Sequence, residues 1–230
     1  MNHARDLPHA AEARARLAQA RLMLLFTPES CAGRDPLAVL ASTLDAVDVI
    51  QVRPKAHGSN APGAARDTYD WCVKVAALLE THGRSGIPVL VNDRVDVAEA
   101  LLGRGCAGVH LGQDDCLVGV ARRRLGPAPL IGLSTHDAIQ VAEAGEEPVD
   151  YLGFGPIHGT PTKGYARGLG VEAAWIASAG SSVPVFAIGG IDATNAADLA
   201  RIGRVAVGSA ILSAADPGRA AREIRALLDA

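Results

Sequence analysis

The chain of 230 residues has few aromatic side chains and very few lysines. Aromatics make up 3% of the residues, and only Lys55, Lys74 and Lys163 are lysines among the 22 positively charged residues. The formal net charge is −3, and the longest basic run is residues 122–124. A near-neutral chain without a long basic block disfavours nucleic acid and anionic membrane surfaces as partners. Since arginine fills nearly every cationic position, the places that retain lysine are informative.

Paired cysteine motifs and long apolar runs are also missing. The four cysteines, Cys31, Cys72, Cys106 and Cys116, form no CxxC pair, and no HExxH pair or Cys/His cluster typical of zinc is present. No apolar run approaches the ~20 residues that span a bilayer, and the first twenty residues lack the apolar stretch of a secretory signal. We therefore expect reduced thiols and a cytoplasmic chain. The oligomeric state stays open, with a homodimer as one option.

A repeating pattern of short apolar runs and helical segments is what the sequence does contain. Such fully apolar runs are typical of buried parallel strands, and they occur at 22–26, 47–52, 88–91, 108–110, 130–133, 151–154, 185–187 and 204–207. Helical spacing follows in segments that include 95–102, 193–201 and 215–228. Eight such units predict an α/β fold, a single (β/α)8 TIM barrel over residues 22–230 with an additional N-terminal helical arm over 1–21. An open flavodoxin-like sheet is the alternative.

One irregular stretch interrupts this pattern at residues 56–66, which are rich in Gly, Pro, Ser and Asn. A loop of this composition is either a solvated insertion or a mobile cover over a site. Without a further signal, the insertion is the favoured interpretation.

Polar residues gather where the predicted strands end. Chemistry in such barrels is built at the carboxyl ends of the strands, so these residues are the candidates for a site. In chain order they are Gln51, Arg53, Lys55, Asn92, Asp93, His110, Gln113, Asp114, Asp115, Ser134, Thr135, His136, Thr160, Thr162, Lys163, Gly189, Gly190, Gly208 and Ser209.

Two features of this set suit anions. Gly189-Gly190 and Gly208-Ser209 place small residues in the two loops where barrels most often bind phosphate through backbone N–H groups, although glycines also simply permit tight turns. Arg53 and Lys55 share strand parity and can point the same way into the barrel mouth. Together with Lys163 they suit a diphosphate, the alternative being solvated surface charges.

Asp93 and Asp115 are candidate metal ligands at the ends of neighbouring strands. Mg²⁺ prefers oxygen ligands and takes one or two carboxylates plus substrate phosphate oxygens. The competing interpretation is that each aspartate caps the helix that follows it.

His110, His136 and His158 invite a general-base role. A histidine near a barrel mouth is more often a hydrogen-bonded orienting group, and we favour that role here. No Ser/His/Asp or Cys/His arrangement supports covalent catalysis.

The loop sequences resemble the motif series of the thiamine phosphate synthase family, within the superfamily that also contains thiazole tautomerases. The segments are Gln51-Val52-Arg53-Pro54-Lys55, Val91-Asn92-Asp93-Arg94, the run from Gly108 to Asp115, Gly153-Phe154-Gly155-Pro156-Ile157, Thr160-Pro161-Thr162-Lys163 and Ala187-Ile188-Gly189-Gly190-Ile191. They occur in the family's order from about residue 22 to the end of the chain.

The resemblance implies a barrel that joins a hydroxymethylpyrimidine diphosphate to a thiazole phosphate with Mg²⁺, releasing diphosphate and forming thiamine phosphate by a dissociative substitution. It implies that the pyrimidine diphosphate is bound by Gln51, Val52, Arg53, Pro54, Lys55, Asn92, Ser134 and Lys163, with Arg53, Lys55, Ser134 and Lys163 serving catalysis. It implies that the thiazole phosphate is bound by Thr160, Pro161, Thr162, Gly189, Gly208 and Ser209. Asp93 and Asp115 would hold the metal, and His110, Gln113 and His136 would orient the substrate.

Two other functions compete with this one. A thiazole tautomerase would share the barrel and the thiazole phosphate site, and would use His136 to carry protons. A non-catalytic phosphate-binding barrel is the other, because a fold alone does not fix function. The intact segments around Asp115 and Lys163 favour the synthase.

Overall fold

A computed structural model describes residues 7–55, 63–159 and 168–229 of the chain. Eight parallel strands pair in chain order and close into a barrel, which confirms the predicted (β/α)8 architecture and excludes the open sheet. The strands are β1 (Leu22–Phe26), β2 (Val49–Val52), β3 (Val89–Asn92), β4 (Gly108–Leu111), β5 (Leu130–Thr135), β6 (Tyr151–Phe154), β7 (Val185–Ile188) and β8 (Val205–Val207).

Helices surround the barrel. They are α1 (Leu7–Gln19), α2 (Pro36–Thr43), α3 (Ala64–Thr81), α4 (Val95–Leu101), α5 (Val118–Leu125), α6 (Ala138–Ala144), α7 (Val171–Gly180), α8 (Ser209–Leu212) and α9 (Pro217–Leu228), with 3-10 helices at Pro28–Ser30 and Ala196–Leu199. Within the described ranges, no helix is both long and apolar enough to cross a membrane. Of the irregular stretch 56–66, residues 56–62 lie outside the described residues, and α3 already begins at Ala64.

The helix predicted over 193–201 is wrong in extent, because only the 3-10 helix Ala196–Leu199 forms there. The Asp192 carboxylate accepts hydrogen bonds from the backbone N–H and the hydroxyl of Thr194, at 2.8 and 2.6 Å. The Asn195 side-chain oxygen in turn accepts from the Asp192 N–H at 3.0 Å. Such local side-chain bonds offer the backbone an alternative to helix, which shortens the element.

Alternate strand residues divide the core in two. One parity faces the helices and forms the larger cluster. The other parity fills the barrel with a smaller cluster: Met23, Leu25, Val49, Leu90, Leu130, Tyr151, Phe186 and Ala206. Because side chains alternate along a strand, Gln51, Arg53, His110 and Ser134 continue the inward rows toward the carboxyl end.

Helix α1 closes the opposite end of the barrel. Its Ala13 and Leu17 belong to the same buried cluster as the residues inside the barrel, and Leu17 is 2% exposed. Arg14 donates to the Asp150 carboxylate at 2.7 Å and to the Pro127 carbonyl at 2.6 Å. Asp150 directly precedes β6, and Pro127 lies shortly before β5. The segment described as an arm from its sequence is therefore packed into the barrel core.

Candidate active site

A cavity of about 480 Å³ opens at the carboxyl ends of the strands. Loops after β1, β2, β5, β6, β7 and β8 contribute to its wall. Eight of the predicted strand-end residues line it: Arg53, Lys55, Ser134, His136, Gly189, Gly190, Gly208 and Ser209. The anion-binding candidates that follow β2 therefore lie in the same cavity as those that follow β7 and β8.

Arg53 and Lys55 project into this cavity from the end of β2, as their shared parity predicts. The Arg53 N–H donates to the Phe26 carbonyl at 2.8 Å and extends the β1–β2 pairing by one residue. The Lys55 N–H donates to the Glu29 carboxylate at 3.1 Å, which fixes the backbone just beyond the strand. The backbone that carries these two cationic side chains is therefore hydrogen-bonded to β1 and to the loop that follows it.

The other residues of the β2 motif are placed differently. Gln51 is buried inside the barrel, 3% exposed, and Val52 packs in the outer cluster beneath the helices. Neither residue lines the cavity, and Pro54 does not line it either. Their assignment to the pyrimidine diphosphate stays a prediction.

Ser134 is held in place by two of the three residues predicted to orient the substrate, His110 and Gln113. The His110 ring lies with Nε2 at 2.9 Å from the Ser134 hydroxyl oxygen, and the Gln113 amide donates to the Ser134 carbonyl at 2.6 Å. Neither His110 nor Gln113 lines the cavity. They act on the cavity wall through Ser134.

Tyr151 is a residue that the sequence argument missed. Its hydroxyl lies 2.8 Å from His110 Nδ1, and the side chain is fully buried. Burial raises the pKa of Tyr151 far above its ordinary value, although a hydrogen bond with Gln51 opposes the rise, so the phenol stays protonated. From the sequence alone, Tyr151 cannot be distinguished from any other aromatic residue in a buried strand. The available signal was the glycine at position 132, which pairs with Tyr151 across the sheet.

Asp93 has unusual backbone geometry directly after β3. Its φ is +62°, in the left-handed region that non-glycine residues rarely adopt. The Arg94 N–H donates to the Asn92 carbonyl at 2.7 Å, closing a tight three-residue turn around Asp93, while the Asp93 N–H donates to the His110 carbonyl at 2.8 Å. Strain of this kind clusters at functional sites. Helix α4 has no side-chain cap, so the capping interpretation of Asp93 is not what the structure shows.

Asp115 closes its own loop after β4. One carboxylate oxygen accepts from the Gly112 N–H at 2.7 Å, and helix α5 is not capped by a side chain. Asp93 and Asp115 follow paired neighbouring strands, since Asn92 pairs with His110. Neither aspartate lines the cavity. Two carboxylates form a donor set that suits Mg²⁺, and within the described ranges no cluster of three or more acidic, His or Cys residues adds to it.

The loops after β7 and β8 supply small residues to the cavity. Gly189 has φ +98° and Gly190 has φ +66°, and a Cβ on Gly189 would lie 2.6 Å from the Pro156 Cβ. Only glycine combines this conformation with this space. Gly208 directly follows β8, and its carbonyl accepts from two N–H groups of the short helix α8, which begins at Ser209.

The histidines differ in setting. His136 lines the cavity, and its Nδ1 hydrogen-bonds the Gly155 carbonyl. Since a carbonyl only accepts, Nδ1 carries a proton. His158 lies in the loop after β6, where its Nε2 is buried without a hydrogen-bond partner among the described residues.

Four predicted residues, Thr160, Pro161, Thr162 and Lys163, lie outside the described residues. Conversely, the cavity has wall residues that were not predicted: Thr27 and Ser30 from the loop after β1, and Asp192 from the loop after β7. Hydrogen bonds from Thr194 lower the pKa of Asp192, which therefore stays ionised. Thr27 directly follows β1, so the strand-end rule, applied to β1 as well, would have found it.

Comparisons with known proteins show the family to which the chain belongs. The family model described as thiamine monophosphate synthase matches residues 22–211. The thiamine-phosphate synthase of Albidiferax ferrireducens is 40% identical over 217 residues, covering 92% of this chain and 94% of the relative. That of Chloroflexus aurantiacus is 40% identical over 200 residues, covering 85% and 87%.

Solved structures extend the likeness to the fold. Thiamine phosphate pyrophosphorylase from Pyrococcus furiosus superposes with a TM-score of 0.75 at 28% identity, covering 94% of this chain and 97% of that one. The 3-hexulose-6-phosphate synthase of Salmonella typhimurium, with a TM-score of 0.64 at 20% identity, shares the fold alone and covers 90% and 98%. The resemblance seen in the motifs is confirmed, and the chain belongs to the thiamine monophosphate synthase family.

Proposed function

We propose that this chain is a transferase that joins a hydroxymethylpyrimidine diphosphate to a thiazole phosphate, giving thiamine phosphate and diphosphate. The observation that carries the proposal is the single cavity lined by Arg53 and Lys55 and also by Gly189, Gly208 and Ser209. A reaction between two phosphorylated ring substrates needs two anion-binding regions that face one space. Family membership supports the same reaction.

The pyrimidine diphosphate would lie on the β2 and β5 side. Arg53 offers paired N–H donors to phosphate oxygens and Lys55 a compact charge, while the Ser134 hydroxyl supplies a hydrogen bond. Lys163, Gln51, Val52, Pro54 and Asn92 complete this predicted subsite. Asn92 shares inward parity with Leu90, two residues earlier on β3, which agrees with its assignment.

The thiazole phosphate would lie on the β7 and β8 side. Backbone N–H groups around Gly189, Gly208 and Ser209 suit phosphate oxygens, because small residues let an anion approach the main chain. Thr160, Pro161 and Thr162 are the predicted remainder of this subsite. Phosphate esters are charged and cross a lipid bilayer poorly, so we place the reaction in the cytoplasm.

Asp93 and Asp115 are the proposed ligands of Mg²⁺. When bound, the ion would neutralise charge that develops on the departing diphosphate. The chain's own carboxylates would orient the ion from the ends of β3 and β4, and substrate oxygens and water would complete its shell.

The chemistry we propose is dissociative. The C–O bond to the diphosphate breaks first, and the thiazole nitrogen captures the resulting pyrimidine methyl cation. Arg53, Lys55 and Lys163 would stabilise the leaving group in a preorganised site, while the two subsites fix the line of attack. No strong base is required, which agrees with the His136 Nδ1 being used as a donor to a backbone carbonyl.

The test is to supply the purified chain with both phosphorylated rings and Mg²⁺ and to measure thiamine phosphate and diphosphate. Asp93→Asn and Asp115→Asn should each lower product formation by about 100-fold, because a metal contributes several kcal/mol to such transition states. Asp45→Asn is the matched control, since Asp45 is a surface residue paired with Arg84. Unchanged activity in both site variants would refute the metal assignment.

Other products would identify the rival functions. A tautomerised thiazole without coupled product would indicate an isomerase, and ligand binding without any turnover would indicate a non-catalytic barrel. Neither outcome is expected from a cavity with cationic groups for a leaving diphosphate.

A further inference from the structure

Two buried side chains, Tyr151 and His110, and the half-buried Ser134 form a chain of hydrogen bonds from the barrel interior to the cavity. The Tyr151 hydroxyl lies 2.8 Å from His110 Nδ1, and His110 Nε2 lies 2.9 Å from the Ser134 hydroxyl oxygen. Tyr151 is fully buried and His110 is 6% exposed. Among the three, only Ser134 lines the cavity.

The strands build this chain with specific space around it. Gly132 pairs with both His110 and Tyr151, and a Cβ on Gly132 would lie 2.1 to 2.4 Å from atoms of the Tyr151 ring. A Cβ on Gly153 would lie 3.4 Å from the His110 ring. The Tyr151 ring also packs edge-on against Phe186. The two rings therefore have little freedom to leave this arrangement.

The protons along the chain can be assigned from donors and acceptors. Tyr151 stays a neutral phenol, because burial raises its pKa, and its hydroxyl proton has His110 Nδ1 within hydrogen-bond distance. The phenol proton then goes to His110 Nδ1, because a neutral imidazole accepts at one nitrogen and donates at the other. His110 Nε2 consequently donates to the Ser134 oxygen, and the Ser134 proton is directed into the cavity.

We propose that Tyr151 is a positioning residue which, through His110, holds the Ser134 hydroxyl as a hydrogen-bond donor to the pyrimidine diphosphate. The inference rests on the proposed function, because it assigns a role to Ser134 in that reaction. Tyr151 itself is fully buried and does not line the cavity. Its effect is to fix which nitrogen of His110 carries the proton, and thereby the direction of the Ser134 O–H.

The first experiment compares Tyr151→Phe with the wild type. Without the phenol proton, His110 can take its proton at Nδ1 and accept from Ser134 at Nε2, which turns the Ser134 proton away from the substrate. We expect kcat to fall about 10-fold, the scale of one lost hydrogen bond, with KM for the pyrimidine diphosphate changing much less. Tyr69→Phe is the control, since Tyr69 loses the same hydroxyl on helix α3, at a different cavity. Equal kcat for Tyr151→Phe and wild type would overturn the proposal.

A double-mutant cycle separates positioning from general damage to the fold. If Tyr151 acts through Ser134, Tyr151→Phe should cost nothing further in a Ser134→Ala background. A decrease in kcat by the same factor in both backgrounds would contradict the proposal. His110→Gln places an amide donor near the Nε2 position and should retain more activity than His110→Leu; equal losses would also count against it.

A readout without turnover distinguishes this inference from the function on which it rests. Nitrogen-15 NMR of the histidine side chains reports which ring nitrogen is protonated. We expect His110 to carry its proton at Nε2 in the wild type and at Nδ1 in Tyr151→Phe. A wild-type proton at Nδ1 would refute the chain's direction, whereas a failed coupling assay with the expected NMR result would refute only the reaction.

Discussion

Gly132 shows how one missing side chain shapes the site. We expect Gly132→Ala to lower the free energy of unfolding by about 1–3 kcal/mol, the usual cost of overpacking, because the new methyl group would overlap the buried Tyr151 ring. Urea denaturation measures this. Gly180→Ala is the matched control, since nothing lies within 4 Å of a Cβ there and the residue ends helix α7. Equal stability of the two variants would show that the Tyr151 ring can move aside.

Asp93 offers a second prediction at the same scale. Asp93→Ala and Asp93→Gly both remove the carboxylate, but only alanine keeps a Cβ in the left-handed conformation at φ +62°. We expect the glycine variant to be more stable by about 1 kcal/mol in urea denaturation. Both variants should lose synthase activity. An alanine variant as stable as the glycine variant would mean that the turn relaxes.

Residue positions were predictable where a side chain follows the end of a strand. Arg53, Lys55 and Ser134 line the cavity because alternation along a parallel strand fixes their direction once the strand is known. Tyr151 could not be found this way, since its proposed role depends on a partner 41 residues away, His110. Likewise, the left-handed backbone of Asp93 accompanies a tight turn closed by the Arg94 N–H and leaves no mark in the sequence.

At the scale of elements, helix α1 behaves as part of the barrel core. We expect Leu17→Ala to lower the free energy of unfolding by about 3 kcal/mol, because the side chain is 2% exposed among the residues that fill the barrel. Leu117→Ala makes the same change at a position that is 73% exposed and should cost less than about 0.5 kcal/mol. Equal changes in the free energy of unfolding for the two variants, measured by chemical denaturation, would show that α1 does not contribute to the core.

The sequence suggested the helix but not its packing. The opening segment is rich in Ala, Arg and Glu, and it lacks the large apolar stripe that announces a core helix. Its attachment depends on small residues fitting the barrel end, and on Asp150, whose carboxylate accepts from Arg14 and Arg122 at 2.7 Å each. Both features require the positions of distant elements. By contrast, the eight strands were predictable, because each is a short apolar run that must be buried on both faces.

At the scale of the whole molecule, the closed barrel separates stability at one end from chemistry at the other. Helix α1 fills the amino end, and the cavity with Arg53 and Ser134 opens at the carboxyl end. Eight β-then-α units sufficed to predict this closure, because few topologies bury eight parallel apolar strands in one chain. The length of the chain, 230 residues, is near that of one such barrel and agrees with the predicted closure.

This separation gives a prediction for ligand binding. Inorganic diphosphate with Mg²⁺, at about 100 times the dissociation constant, should stabilise the folded chain by about 2.7 kcal/mol and raise the thermal midpoint by about 5–10 °C. The increment should be the same in Leu17→Ala, because effects at distant sites without shared partners add. Asp115→Asn should lose the part that depends on Mg²⁺. A smaller increment in Leu17→Ala would mean that packing of α1 at the amino end controls the shape of the cavity, since a ligand that binds only the folded state otherwise shifts both proteins equally.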